Sequence, residues 1–209
     1  MQRHLLNYDT MLRIANAISH SKDPEEVVLI TVDSIKTGLG AKGCAVFLIN
    51  RHTDELELAA SFGLSDDYIH KGPVSASRSI AHSLDEGPVA IYDVTDDPRI
   101  QYPEEAQKEG IASILSVPIV AGGQTIGALR VYTAEPWEFT LDDVNFVQAM
   151  ASMAGMAIEM ARLYKGMKDN IEVLRQLRDP KSIKRKRRTP HEGVPLSVAS
   201  DVIRKDTAK

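Results

Sequence analysis

The stretch of residues 110–135 constrains the fold of this chain more than any other part of the sequence. β-branched and aliphatic residues fill positions 111–120 and again 125–133, and Gly122-Gly123 stands between the two runs. Consecutive glycines supply the positive φ angles that a tight hairpin turn needs. The sequence therefore predicts two antiparallel strands joined at this turn.

This hairpin also predicts which side chains share a face of the sheet, provided that Ala121 pairs with Gln124. The first face is apolar and suits a covering layer of helices; its main members are Ile114, Val120, Leu129 and Val131. The second face has an apolar middle and polar groups toward one end, which suits a ligand pocket. Its members are Ser113, Leu115, Val117, Ile119, Ile126, Ala128, Arg130 and Tyr132. A turn one residue longer would reverse one strand against the other.

Two motifs in this region resemble the GAF domain family. Ser-Val-Pro-Ile at 116–119, the glycine turn, and Thr-Ile-Gly-Ala-Leu-Arg-Val at 125–131 look like the final strand pair of GAF domains. The run at 87–94, followed by Asp-Pro-Arg at 97–99, is similar to the loop-bearing middle of the family. The resemblance covers roughly residues 5–165, and its motifs are structural rather than catalytic. It implies a PAS-related α+β fold with a small-molecule pocket between the sheet and a loop-helix insertion.

A second hairpin is predicted over residues 43–50 and 55–62, with Asn50 opposite Glu55. One face would be wholly apolar, with members Ala45, Phe47, Ile49, Leu56, Leu58 and Ala60. The other face would be mixed, with members Cys44, Val46, Leu48, Glu55, Glu57 and Ser61. Taken with the first hairpin, these strands predict a central antiparallel sheet of five or six strands.

Helices are predicted before and between the strands. Residues 4–19 have helical spacing of apolar side chains, and a second helix begins at Pro24, a residue that suits the first helical position. Between the hairpins, residues 63–97 are the least regular part of the sequence, with a predicted helix at 78–86. A helix at 103–108 precedes the first hairpin described above. Such a long insertion between strands is often functional.

A long helix is predicted from Thr140, with Thr140 as its cap and Asp143 at the capping-box position. An apolar heptad repeat runs through four heptads of it, which is typical of a coiled-coil seam. The seam residues that we expect to pack on a second copy of the chain are Met153, Met160, Tyr164, Met167, Ile171 and Leu174. The alternative is a single helix folded back on its own domain.

Composition and charge indicate one domain with extensions within 209 residues. We expect a GAF-like domain over residues 1–168, with the N- and C-terminal helices on one face of the sheet, and a helix extension over 169–180. Nine of the 25 basic and three of the 29 acidic residues lie from Lys181 onward, so residues 181–209 carry +6 and the rest carries −10. We predict that this tail is disordered in isolation.

The basic tail has several possible partners. The run KSIKRKRR, from Lys181 to Arg188, fits a nucleic acid, an anionic membrane surface, an acidic protein or the acidic body of its own chain. A solvated terminal extension is the simplest alternative. No aromatic residues are interleaved, so base stacking is not indicated.

Candidate ligand-binding residues follow from the resemblance and from the face assignment. The sheet would contribute Ser113, Leu115, Arg130 and Tyr132, and the insertion would contribute Ser77, Arg78, Ser79, Tyr92, Arg99 and Tyr102. Arginines beside a helix N-terminus favour an anionic or carbonyl-rich ligand. The competing interpretation is that Arg130 and Arg99 merely pair with Asp93, Asp96 or Asp97.

Cysteine and histidine usage argues against several other activities. Bilin-binding GAF domains attach chromophore through a cysteine in the insertion loops, and this chain has only Cys44, in a predicted strand. GAF-like enzymes that reduce free methionine sulfoxide rely on several cysteines, and one cysteine excludes a disulfide or CxxC motif. The six histidines show no metal-ligand spacing; a haem role for His70 or His82 is a minor alternative. The Asn-Lys pair of cyclic-nucleotide-binding GAF domains is absent.

These features predict a non-enzymatic sensory or regulatory module that binds an unidentified small ligand and signals through a dimeric helix bundle. Residues 4–19 and 140–177 would form the bundle, and no catalytic residue or metal motif is assigned. The alternative is a ligand-free dimeric interaction protein that engages an anionic partner through its tail. No apolar run approaches the roughly 18 residues of a membrane span, and no signal-peptide core is present, so we expect a cytoplasmic protein.

Overall fold

The structure, a computed structural model, describes residues 2–20, 24–50, 52–53, 55–75 and 87–178. The predicted helix at 78–86, the candidate ligand residues Ser77, Arg78 and Ser79, and the tail at 181–209 lie outside the described residues. The helices are α1 (Gln2–His20), α2 (Pro24–Leu39), α3 (Asp66–Ile69), α4 (Pro103–Glu109) and α5 (Leu141–Arg178). The strands are β1 (Gly43–Asn50), β2 (Glu55–Phe62), β3 (Val74–Ser75), β4 (Val89–Ile91), β5 (Ser113–Ala121) and β6 (Gln124–Thr133).

The six strands form one sheet in the order β3-β2-β1-β6-β5-β4, with every neighbouring pair antiparallel. This confirms the predicted α+β fold with a central antiparallel sheet. The bounds of β1 and β2 are those predicted from alternating hydrophobicity. The two-residue strand β3 was not predicted, because two residues are too few to show a period.

The turn between β5 and β6 has the predicted form. Gly122 and Gly123 have φ angles of 57° and 75°, and Ala121 pairs with Gln124. Positive φ at both central residues is the geometry that favours glycine in a two-residue hairpin turn. Open space surrounds a Cβ built on either glycine, so the backbone conformation, and not crowding, is what requires glycine here.

Beyond this turn a β-bulge changes the register. Val120 pairs with Thr125 but Ile119 pairs with Gly127, which leaves Ile126 as the extra residue in β6. The bulge shifts all later pairs by one residue, so Leu115 is opposite Val131 and Ser116 is opposite Arg130. The predicted assignment of β5 side chains to faces is therefore wrong, because a one-residue shift moves every side chain to the other face.

Contact with the neighbouring strand explains why glycine follows the extra residue. A Cβ on Gly127 would lie 2.0 Å from the Phe47 carbonyl oxygen of β1, far inside the closest approach that atoms tolerate. The register of β1 and β2 also shifts, between Val46 and Phe47. Ala60 consequently packs with Val46 and not with Phe47, which corrects the second hairpin in the same way.

Both faces of the sheet are covered. The helix-covered face lies under α1, α2 and α5, as predicted for the terminal helices, and its sheet residues are Cys44, Val46, Ala60, Leu115, Val117, Ile119, Leu129 and Val131. The insertion-covered face lies under the described insertion, residues 63–75 and 87–112. Its sheet residues are Ala45, Phe47, Leu56, Ile114, Ala128 and Tyr132, which pack on Tyr68, Val74, Val94, Ala106 and Ile111.

The start of α5 is fixed by the predicted capping box. The Asp143 backbone N–H donates to the Thr140 hydroxyl at 3.2 Å, and the Thr140 backbone N–H donates to the Asp143 carboxylate at 3.0 Å. The Trp137 indole N–H adds a hydrogen bond to the same carboxylate at 3.4 Å. These reciprocal bonds satisfy donors that a helix N-terminus leaves without partners.

The chain divides into two compact units, Met1–Tyr164 and Lys165–Lys209. The described part of the second unit is the end of α5, where Met167, Ile171 and Leu174 are all more than half exposed. None of the helices in the described part of the chain combines the length and the hydrophobicity that crossing a membrane requires.

Candidate functional site

Arg130 is the most unusual side chain of the insertion-covered face. It lies on β6, flanked by Ala45 of β1 and Ser116 of β5, and only 6% of it is exposed. Its Nε and Nη2 atoms are buried and have no hydrogen-bond partner among the described residues. The guanidinium carbon lies 5.1 Å from the centre of the Phe47 ring. An unpaired buried cation costs about 3–5 kcal/mol, so its presence requires an explanation.

Lys71 is a second cation near Arg130. Its ammonium group donates to the Tyr68 carbonyl at 2.9 Å and lies 3.8 Å from the centre of the Tyr68 ring. Burial, with the nearby charge of Arg130, lowers the pKa of Lys71 to about 8, although Glu105 and Glu109 act in the opposite direction. None of the ion pairs among the described residues includes Arg130 or Lys71.

Two tyrosines pack beside these cations. The rings of Tyr68 and Tyr132 meet edge to face with their centres 5.9 Å apart, an arrangement that aromatic quadrupoles favour. Burial raises the pKa of Tyr132 to about 12, although the charge of Arg130 and a hydrogen bond with it act in the opposite direction. Burial likewise raises the pKa of Tyr68 well above its usual range. Both phenols therefore stay neutral at physiological pH.

A small cavity joins these groups. Its volume is about 20 Å³, and it is lined by Tyr68, Lys71, Val74, Ile100, Gln101, Tyr102, Ile114 and Arg130. A cavity of this size admits about one water-sized group. Since Gln101 is exposed whereas Arg130 is buried, the cavity leads from the surface to the guanidinium.

Hydrogen bonds hold the outer wall of this cavity. The Tyr102 hydroxyl donates to the Pro73 carbonyl at 2.8 Å, and the Gln101 amide donates to the same carbonyl at 3.0 Å. The Gln101 carbonyl in turn accepts from the Ser75 backbone N–H at 3.2 Å. Gly72 has a φ of 141°, and a Cβ there would lie 2.7 Å from the Tyr102 hydroxyl oxygen. These contacts join the two ends of the described insertion next to Lys71.

A larger groove of about 170 Å³ lies on the other side of Tyr68, lined by Ser65, Asp67, Tyr68, Glu105, Lys108 and Glu109. Its Glu109 carboxylate is already engaged by Ser65 and by Lys42 at 3.6 Å. Burial alone would raise the pKa of Glu109, but these hydrogen bonds and the lysine charge hold it below its usual value. The groove therefore anchors α3 to α4 and presents no unpartnered group.

Three predicted site residues gather at the cavity and its inner wall, namely Tyr102, Arg130 and Tyr132. Ser113 and Leu115 lie elsewhere, because the bulge places β5 in the opposite orientation. Leu115 is in the core of the helix-covered face. The Ser113 hydroxyl donates to the Tyr92 carbonyl and accepts from the Trp137 backbone N–H, so it joins β4 to the segment before α5.

The remaining two predicted residues are exposed and do not line the cavity. Tyr92 is 60% exposed. The Arg99 guanidinium binds the Asp97 carboxylate through Nε at 2.9 Å and Nη2 at 2.5 Å. This pair lowers the pKa of Asp97. The salt-bridge interpretation from the sequence therefore holds for Arg99, whereas Arg130 has no such partner among the described residues.

Sequence reasoning missed Lys71, Gln101 and Ile114. The register error excluded Ile114, since it assigned this residue to the helix-covered face. Lys71 precedes Gly72-Pro73, which indicates a turn and carries no signal of burial. Gln101 is an exposed residue whose role depends on a carbonyl far away in the sequence.

Cysteine and metal chemistry find no site here. Cys44 is fully buried among apolar side chains, and burial raises the pKa of its thiol far above the usual range. This agrees with the interpretation of Cys44 as packing. Within the described residues, no cluster of three or more His, Cys, Asp or Glu side chains is placed to hold a metal ion.

The family follows from fold and sequence together. The sequence profile of the GAF domain matches residues 21–159. The chain thus belongs to the GAF domain family, whose members are in general sensory or regulatory modules that bind small ligands. No curated protein sequence matches it.

Solved structures support the fold. The GAF domain of a phosphoenolpyruvate-protein phosphotransferase from Coxiella burnetii has a TM-score of 0.70 and 20% identity, covering 78% of this chain and 98% of that one. Free methionine-R-sulfoxide reductase from Neisseria meningitidis, solved with its substrate, has a TM-score of 0.65 and 18% identity, with coverage of 76% and 91%. A cyanobacteriochrome GAF domain has a TM-score of 0.58 and 14% identity, with coverage of 70% and 95%.

Proposed function

We propose that this protein is a non-enzymatic sensor that binds a small ligand at the cavity beside Arg130 and transmits the bound state through a dimeric helix bundle. The observation that carries the ligand-binding half is the buried, unpartnered edge of Arg130. A chain that keeps a cation in its core at a cost of a few kcal/mol gains something from it, and a ligand that pairs with the cation is the simplest gain.

Ligand binding would act on the insertion. Arg130 belongs to the sheet, whereas Lys71, Gln101 and Tyr102 belong to the insertion, so a ligand held between them favours one arrangement of the two. This is a population shift, and its size equals the difference in ligand affinity between the two arrangements. The cavity is small as it stands, so entry of a ligand larger than one water-sized group moves the wall formed by Gln101 and Tyr102.

Dimerisation would use the apolar heptad positions of α5. Met160, Tyr164, Met167, Ile171 and Leu174 are each 51–63% exposed in the single chain, while Met153 is partly buried against the core. Burying one such side chain is worth about 1.5–3 kcal/mol, and a heptad repeat matches the same helix of a second copy. We therefore propose a homodimer whose interface includes these residues.

Native mass spectrometry on protein purified gently from its own host tests the ligand half. A dimer with a stoichiometric small molecule supports the sensor and gives the ligand's mass. A clean dimer without ligand favours the alternative, in which the basic tail engages an anionic partner. That alternative further requires strong salt dependence of binding and its loss on truncation at Asp179.

Sedimentation velocity tests the dimer half. The double variant Met167→Glu with Ile171→Glu places charges at heptad positions d and a, and is expected to be a folded monomer. Val173→Glu with Gln176→Glu, at positions c and f, introduces the same charge outside the seam and is the matched control. A monomeric control or a dimeric seam variant would refute the proposed interface.

A further inference from the structure

We propose that the ligand of this site carries a carboxylate, bound side-on by the Nε–H and Nη2–H groups of Arg130 with Lys71 as the second cation. This inference rests on the proposed function and specifies the chemical class of its ligand. It goes beyond a general preference for anions, because it assigns the two donor atoms and the shape of the group that they bind.

The two unpartnered atoms of Arg130 decide the shape. Nε–H and one N–H of Nη2 point in parallel along one edge of the guanidinium plane. This edge matches the spacing of two oxygens on one carbon or phosphorus, which gives two parallel charge-assisted hydrogen bonds. Both atoms of the edge are buried and unpartnered among the described residues. Arg99, by contrast, presents the same two atoms to Asp97, so the chain itself shows the pairing that we expect at Arg130.

The cavity favours a planar group over a tetrahedral one. Its volume of about 20 Å³ leaves little room beside the guanidinium. Apolar and aromatic side chains, including Val74, Ile100 and Ile114, form most of the remaining lining. A short aliphatic carboxylate satisfies both requirements, because its charged end meets Arg130 and its apolar end meets these side chains.

Lys71 makes the binding dependent on pH. The charged and titratable groups around its ammonium are Arg130, Glu105, Glu109, Tyr68 and Tyr102. In the free protein, burial and Arg130 lower the pKa of Lys71 to about 8. A bound anion raises that pKa, so binding takes up a proton and is strongest below pH 8. Above pH 8 the affinity falls by up to about tenfold for each pH unit.

The test is a titration of the full chain, labelled with nitrogen-15 in arginine, at constant ionic strength. The probes are acetate and propionate, with acetamide as the neutral molecule of the same shape and inorganic phosphate as the tetrahedral anion. The Arg130 Nε–H resonance, assigned by its loss in Arg130→Lys, is expected to shift saturably with acetate. Acetamide is expected to bind about tenfold more weakly or less, and propionate more tightly than acetate.

Two variants report on the assigned atoms. Arg130→Lys keeps the charge but loses the two-pronged edge, and is expected to weaken acetate binding by about tenfold or more. Arg99→Lys is the matched control and leaves the affinity unchanged. Lys71→Met is expected to remove the pH dependence between pH 7 and 10.

Each contrary result has a distinct meaning. Equal shifts with acetate and acetamide, or full affinity in Arg130→Lys, overturn the carboxylate assignment. Tighter binding of phosphate than of acetate overturns the planar shape. If native mass spectrometry meanwhile finds a neutral ligand, the sensor proposal stands and only this inference falls. If acetate leaves the resonance unmoved and no ligand of any class is found, both fall.

Discussion

The two faces of the sheet are both buried, but they bury different chemistry. The helix-covered face is packed with aliphatic side chains, Phe146, Met150 and the inert Cys44. The insertion-covered face buries Tyr68, Tyr132 and the unpaired guanidinium of Arg130, with Lys71 beside them. Adjacent residues of one strand serve both, since Leu129 and Arg130 point to opposite faces. The comparison teaches that one face stabilises the fold while the other keeps a costly charge for binding.

The largest effect is expected from truncation on the helix-covered face. Leu129 is fully buried, and Leu129→Ala is expected to lower the free energy of unfolding by about 2–5 kcal/mol through lost burial and a residual cavity. Val120→Ala removes a side chain that is 43% exposed on the neighbouring strand, and is expected to cost about 0.5 kcal/mol. Urea unfolding at fixed protein concentration measures both. A loss below about 1 kcal/mol for Leu129→Ala would contradict the division between the faces.

Two glycines of α5 sharpen the contrast between packed and exposed helix surface. A Cβ on Gly155 would lie 2.5 Å from the Val120 carbonyl oxygen, whereas nothing lies within 4 Å of one on Gly166. Gly155→Ala is expected to destabilise the protein by about 1–3 kcal/mol through overpacking. Gly166→Ala is expected to stabilise it by about 0.5–1 kcal/mol, because alanine loses less backbone entropy in a helix. Thermal unfolding by circular dichroism gives both signs, and a stabilised Gly155→Ala would disprove close helix–sheet packing.

Removing the buried charge is expected to have the opposite sign from removing a core leucine. Arg130→Met keeps an apolar stem of similar length and is expected to raise the unfolding free energy of the ligand-free protein by about 1–3 kcal/mol. Arg99→Met removes an exposed, paired arginine and is expected to lower it by less than about 1 kcal/mol. If Arg130→Met is instead strongly destabilising in chemical denaturation, Arg130 supports the fold and its free edge has no binding role to explain.

The smallest effect concerns the pH dependence of stability. The folded-state pKa of Lys71 is about 8, below its ordinary value of 10.5. The unfolded chain therefore binds more protons between these values, and stability rises with pH from about 8 to 10.5 as the buried charge disappears. After discounting for partial exposure, the gain is on the order of 1 kcal/mol. Lys71→Met is expected to be more stable than the parent at pH 7, with the difference shrinking at pH 10; a constant difference would refute the lowered pKa.

The sequence predicted the elements of this fold better than it predicted their pairing. Alternation fixed the bounds of β1 and β2, and consecutive glycines placed the hairpin turn after β5, because both signals are local. The shift at Ile126 is not local: it depends on how closely Gly127 approaches the β1 backbone, which no periodicity records.

The candidate site was recovered only in part for the same reason. Arg130 was found because an arginine within an apolar strand is conspicuous, and Tyr102 because it lies in the insertion. Lys71 and Gln101 acquire their roles through contacts with Tyr68 and Pro73 that form only in the folded chain.

The extra residue at Ile126 has a consequence for comparing relatives. At identities near 20%, as with the Coxiella burnetii domain, an alignment is free to absorb the bulge as a gap or to ignore it. An alignment that ignores it moves Arg130 into the column of a residue from the opposite face. Equivalent positions in distant relatives are therefore best matched by counting back from the end of β6 at Thr133, and not forward from the Gly122-Gly123 turn.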